Sequence, residues 1–125
     1  MRVRRSLWAC VALLATAIAP PAGAADAEAG LKVFRTQCGA CHSAAAGRNL
    51  VGPSLNDIIG RRSGTVEGFR YSAANKAAEL TWDVATLDKY LMSPGASIPG
   101  TTMTFAGLKN ATQRADLIAY LATLK

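Results

Sequence analysis

The segment "TQCGACHS", residues 36–43, places two thiols three residues apart with an imidazole directly after the second. Cys10 is the only other cysteine and His42 the only histidine of the 125-residue chain. A chain so poor in metal-binding and redox side chains has few uses for this triple. A Cys38–Cys41 disulfide would close a very small loop and stabilise little else. A thioredoxin-like dithiol belongs beside a βαβ unit, and strand signals are absent here. Structural zinc takes four ligands. The triple offers three at most, and the adjacent Cys41 and His42 cannot easily share one tetrahedral ion. No second cluster at ligand spacing completes the set.

The remaining chemistry is covalent attachment of a haem, the use associated with C-x-x-C-H. Thiols one helical turn apart can reach two vinyl groups on one edge of a porphyrin, and the histidine that follows projects under the iron. Because His42 is the sole histidine, bis-histidine ligation is excluded. Met92 and Met103 are the candidates for the second axial position. Met92 ends a predicted helix two residues before Pro94 and reads equally well as a gap-filling core methionine. Met103 lies in "IPGTTMTF", a loop able to approach the iron from the other face, and this context points to Met103. A thioether is a soft donor that favours Fe(II) and raises the reduction potential. With both axial positions filled, the iron would pass single electrons rather than bind a substrate. A haem would also complete a core that a domain of this size cannot easily build alone. Burying several hundred Å² of porphyrin at roughly 25 cal/mol per Å² contributes on the order of 10 kcal/mol.

Apolar periodicity predicts an all-α fold. A helix is expected over Asp26–Cys38, with Asp26 and Glu28 in its first turn, where the helix dipole favours acids. Ala27, Gly30, Leu31, Phe34 and Cys38 form its apolar face, and Gly30 is costly there unless another backbone packs against it. Residues 43–70 read as a long Gly-rich loop with one short helical turn near Asn56–Ile59. Loops of this length usually wrap something. Ser72–Ala78 predicts one or two helical turns. Thr81–Met92 predicts a middle helix with Val84, Leu87, Tyr90 and Leu91 on one face, ended by Pro94. A second Pro/Gly loop follows. Asn110 with Gln113 reads as a capping box opening a last helix, whose stripe is Leu117, Ile118, Leu121 and Leu124.

The N-terminus reads as a separate segment. Arg2, Arg4 and Arg5 precede an apolar run of 13 residues, Leu7–Ala19, then two prolines and Ala22-Gly23-Ala24. This is the plan of a cleavable signal peptide over residues 1–24, leaving a domain over 25–125 and implying export to the periplasm. The run is short of the ~20 residues of a spanning helix, and retention as a membrane anchor is the alternative. Cys10 would leave with the signal. Removing three of the 14 basic residues leaves 11 against eight acids, a balance of 11 − 8 = +3. That charge, with no run of Lys or Arg, argues against nucleic acid as a partner.

Beyond "CGACH", the stretches "GPSL" (52–55), "GRRSG" (60–64), "GFRYSAANK" (68–76), "TW" (81–82), "YL" (90–91), "IPGTTMTFAG" (98–107) and "RADLIAYL" (114–121) resemble class I c-type cytochromes of the mitochondrial and bacterial c2 type, from about residue 29 to 123. The resemblance implies that the N- and C-terminal helices cross, through Gly30, Phe34, Leu117 and Tyr120. It implies one haem c held by Cys38 and Cys41, with His42 and Met103 as axial ligands. Pro53 would accept the proton of the other His42 ring nitrogen. Arg61, Tyr71 and Trp82 would hydrogen-bond one propionate. Asn75, Tyr90 and Thr101 would form a polar network near the Met103 sulfur, and Phe105 would lie beside the exposed haem edge.

The implied function is that of a soluble, single-haem, monomeric electron carrier, not an enzyme. It would dock transiently with membrane-bound or soluble redox proteins of respiratory or photosynthetic chains. The alternatives are a haem enzyme or gas-binding protein with a dissociable methionine, and a membrane-tethered carrier. The chain departs from its relatives where partners would touch it. Gly95-Ala96, Thr102 and Gln37 stand where the family carries basic residues, while Lys32, Lys76 and Lys109 remain.

Overall fold

Asp26 accepts hydrogen bonds on its carboxylate from the amides of Glu28 and Ala29, and so starts helix α1, Ala27–Gln37. The computed structural model describes residues 23–125, so residues 1–22, which hold the expected signal peptide and Cys10, lie outside the described residues. The helices that follow are α2 (Ala73–Ala77), α3 (Val84–Met92), α4 (Pro94–Ser97) and α5 (Ala111–Leu121). Among the described residues there is no strand, only one isolated bridge between Arg62 and Thr81, and the fold is all-α as the periodicity predicts.

The frame is the packing of α1 on α5. Leu117 is fully buried between them, and the Phe34 and Tyr120 rings meet with centroids 5.3 Å apart. Gly30 lies directly against the α5 backbone. A Cβ there would stand 2.8 Å from the Tyr120 Cβ and would overlap the Asp116 carbonyl. The glycine that weakens α1 locally is therefore what lets the helices approach. Asp116 also accepts a hydrogen bond on its side chain from the Asp26 amide at 2.8 Å, joining the start of α1 to α5.

Three expectations fail, each for an identifiable reason. The middle helix begins at Val84, not Thr81, because Thr81 pairs with Arg62 and Asp83 takes the cap, accepting from the Thr86 amide at 2.8 Å. Val84 then lies 60% exposed at the first turn and leaves the apolar face to Leu87, Tyr90 and Leu91. Pro94 does not open a structureless loop but starts the single turn of α4, a position where its missing N–H costs nothing. No helical turn forms near Asn56–Ile59, since Asp57 adopts a positive φ of 52°. The Asn110 cap holds, with the Gln113 amide donating to its side chain at 3.0 Å.

Loop 43–70 is held by side chains rather than by a ladder of its own. Asn49 accepts from the Ser54 amide and donates to the Glu67 carbonyl, both at 3.0 Å. Ser54 is buried and donates to the Ala45 carbonyl at 2.6 Å. The loop wraps a cavity, and eight of the twelve buried core hydrophobics line it: Leu55, Ile58, Trp82, Leu87, Tyr90, Leu91, Leu117 and Leu121. The hydrophobic core is thus a shell around a central space.

Candidate haem-binding site

Cys38 caps α1, and the chain turns on at once. The Cys38 carbonyl accepts from the amides of Cys41 at 3.0 Å and His42 at 2.9 Å. One tight turn therefore presents both thiols and the imidazole. Loop 43–70 is sewn to this turn by bonds from the Gly52 amide to the Cys41 carbonyl, 2.8 Å, and from the Leu55 amide to the Ser43 carbonyl, 2.9 Å.

All twelve residues singled out from the sequence line the one cavity: Cys38, Cys41, His42, Pro53, Arg61, Tyr71, Asn75, Trp82, Tyr90, Thr101, Met103 and Phe105. Met92 does not line it and is 45% exposed, so Met103 is the methionine whose side chain reaches this space.

The His42 ring is set from two sides. Its Nδ1 is 2.8 Å from the Pro53 carbonyl, which can only accept. Nδ1 therefore carries the proton and Nε2 carries the lone pair that a metal needs. Burial, and to a lesser degree the Arg61 charge, hold the imidazole below its usual pKa despite the Pro53 bond, so the ring is neutral at neutral pH. Gly52 forms the wall behind it: a Cβ at this position would lie 2.6 Å from Nδ1 and 2.8 Å from Nε2. In the sequence Gly52 reads only as a loop glycine. Its place immediately before Pro53 is the one available sign of its role.

The thiols differ. Cys41 is exposed, whereas Cys38 is half-buried. Burial, with a further contribution from Cys41, pushes the Cys38 thiol up to about 11.

Elsewhere on the wall, Arg61 donates to the carbonyls of Ser54 at 2.9 Å and Asn56 at 3.1 Å. Tyr71 accepts from the Val66 amide on its hydroxyl, which leaves the phenolic proton to give. Trp82 is buried with its ring 4.8 Å from that of Tyr90. The Tyr90 hydroxyl donates to the Met103 sulfur at 3.1 Å, and the Met103 amide donates to the Thr101 hydroxyl at 3.3 Å. Burial raises the Tyr90 phenol above its usual pKa, opposed by the neighbouring Thr101 and Asn75 side chains.

A second residue whose role the sequence does not show is Arg114, in the first turn of α5. It is buried, donating to Asp88 at 2.8 Å and to the carbonyls of Leu108 and Lys109 at 3.0 Å each. Lys109 stays exposed, with its ammonium on the Met92 carbonyl at 2.6 Å.

Two thiols, a neutral imidazole with a free Nε2 and a thioether around an apolar cavity fit an iron porphyrin attached by thioether bonds. No cluster of three or more His, Cys, Asp or Glu occurs among the described residues to hold a separate ion.

Comparison with known proteins agrees with the site. The sequence profile of the cytochrome c family matches residues 27–125. The chain is 49% identical over 100 residues to cytochrome c of Euglena viridis, covering 80% of this chain and 98% of that protein. It is 50% identical over 110 residues to cytochrome c2 of Blastochloris viridis, covering 87% and 85% respectively. It is 52% identical over 99 residues to the cytochrome c-type cyt cy of Rhodobacter capsulatus, covering 79% of this chain but 49% of that protein.

Proposed function

The chain belongs to the cytochrome c family, and from that premise we propose that it is an exported carrier whose His42 and Met103 hold the two axial positions of its haem. Its role is electron transfer rather than catalysis, as in the family, and one haem c is attached through Cys38 and Cys41. The observation that supports the axial assignment is one cavity lined both by His42, with its lone pair on Nε2, and by Met103, whose sulfur meets the Tyr90 hydroxyl.

When bound, the haem iron supplies a one-electron couple between its ferric and ferrous states. The chain supplies the rest. Pro53 keeps the His42 proton on Nδ1 and makes Nε2 the better donor. The Tyr90 hydroxyl orients the Met103 sulfur and withdraws density from it. Arg61 and Tyr71 present N–H and O–H groups to the carboxylate end of a porphyrin. The apolar shell keeps water from the iron, so little solvent reorganises when the charge changes.

Residues 1–24 fit a signal peptide removed at or near Ala24, with residues 25–125 acting in the periplasm as a monomer. No described helix is long and apolar enough to cross a membrane. Partners are redox proteins that dock at the cavity mouth. Its exposed lining residues, Gln37, Cys41, Val51, Thr102 and Thr104, carry no charge.

The test is a spectrum and mass of the exported protein with two variants. The haem should resist acid acetone, the mass should match a start near Ala25, and the ferric protein should show the weak sulfur-to-iron band. Met103→Ala should abolish that band, lower the potential and admit small ligands. Met92→Leu should do none of these. Extractable haem would sink the attachment, a sensitive Met92 the ligand choice, and an intact N-terminus in the membrane fraction the export reading.

A further inference from the structure

The loop that carries Met103 has little structure of its own. No backbone–backbone hydrogen bond to a described residue involves residues 102–107. Its start is held by α4, through the Ile98 amide on the Pro94 carbonyl, and its end is held at Leu108. There the Leu108 amide donates to the Leu91 carbonyl of α3 at 2.8 Å, and the Leu108 carbonyl accepts from Arg114 of α5 at 3.0 Å. Arg114 is aimed by Asp88 of α3, whose carboxylate it meets at 2.8 Å. One guanidinium thus joins α3, α5 and the base of the ligand loop, with its side chain 8% exposed and that of Asp88 49% exposed.

We infer that Asp88 and Arg114 are positioning residues for the Met103 sulfur, setting how readily that sulfur leaves the iron. The inference rests on Met103 being the axial ligand. A loop without backbone–backbone hydrogen bonds over residues 102–107 takes much of its geometry from its anchors, and this anchor is a charge-assisted fork of three bonds rather than a single neutral one. Weakening the fork frees the loop to swing away. The sulfur then leaves and an external nitrogen donor takes its place, with no change in the iron's oxidation state.

The experiment uses ferric holoprotein titrated with imidazole, following loss of the sulfur-to-iron band. Asp88→Asn removes the charge that aims Arg114 but keeps its carbonyl bonds, so the variant should fold. Arg114→Lys keeps the charge and loses the fork. Both should bind imidazole roughly threefold to tenfold more tightly than wild type, and Asp88→Glu should restore most of the difference. Asp57→Asn, which breaks the surface pair with Lys125, should leave the affinity unchanged. A lower unfolding midpoint in Asp88→Asn with wild-type imidazole affinity would overturn the inference and leave the pair as a contact of the fold alone. Absence of the band in the wild-type protein would instead overturn the ligand assignment, and the inference with it.

Discussion

At the residue scale the site depends on one position where a side chain is forbidden. His42 is held in front by the Pro53 carbonyl and behind by Gly52, so its ring has no slack. Gly52→Ala would put a methyl group into the space the imidazole occupies. The ring or the loop must then shift by about an ångström, and overpacking of this kind costs roughly 1–3 kcal/mol. The expected outcome for the holoprotein is a lower denaturant midpoint together with a changed iron spectrum. An unchanged spectrum would show that the loop yields and the ring does not. The thiols, the imidazole and the methionine are legible in the sequence because each is chemically singular: one C-x-x-C-H, one histidine, two downstream methionines. Gly52 and Arg114 are not, because their roles depend on what the chain brings beside them. A glycine reads as a turn and an arginine as a solvated face until the neighbours are known.

At the scale of the elements, α1 and α5 are the most legible because their caps and apolar periods agree. Their contact makes a sharp prediction. Gly30→Ala should raise local helix propensity and yet destabilise the protein by about 3 kcal/mol or more, since its Cβ would overlap the Asp116 carbonyl. Denaturant unfolding measures it, and a gain in stability would mean that the two helices can part without loss. The start of α3 carries a pH signature. The Asp83 carboxylate is exposed and held below its usual pKa, chiefly by the Thr86 amide, then by the Thr86 side chain, with the Ala85 amide adding a smaller contribution. A depressed folded-state pKa binds protons less tightly than the unfolded chain. The stabilisation is therefore present above the usual carboxylate pKa and is lost as the pH falls through the folded value. Asp83→Asn keeps a cap acceptor without a titrating group, so it should flatten the acid limb of stability against pH. An unaltered acid limb would assign that limb to other carboxylates. The start of α3 and the turn of α4 are not legible in the sequence for different reasons. Thr81 obeys a distant partner, its bridge to Arg62, whereas Pro94 both follows one helix and opens the next, which periodicity does not encode.

At the scale of the whole molecule, the question is how an encounter finds the cavity mouth. Charged partners are steered by complementary fields around a contact surface, and salt screens them over ~8 Å at physiological ionic strength. The exposed residues lining the mouth, Gln37, Cys41, Val51, Thr102 and Thr104, are uncharged, and Val51 is 79% exposed with Leu50 beside it at 42%. Lys109, one of three lysines retained at positions familiar in the family, has its ammonium folded onto the Met92 carbonyl. Lys32 and Lys76, at the other retained positions, are exposed as well. The net charge of residues 25–125 is 11 − 8 = +3 before two propionates are counted. An apolar patch with a thin cationic rim gains little from long-range attraction, so the association rate with a redox partner should fall only modestly between low and physiological salt. Lysine-ringed relatives should fall more steeply in the same assay. The measurement is the slope of log rate against ionic strength, with Lys76→Glu and Val51→Asp as probes. Lys76→Glu should change the slope slightly, whereas Val51→Asp should slow association at every salt concentration by placing a charge that must be desolvated at the contact. A steep slope in the wild type would mean that cations elsewhere on the surface, Arg35 and Arg48 foremost, steer the encounter in place of the lost ring.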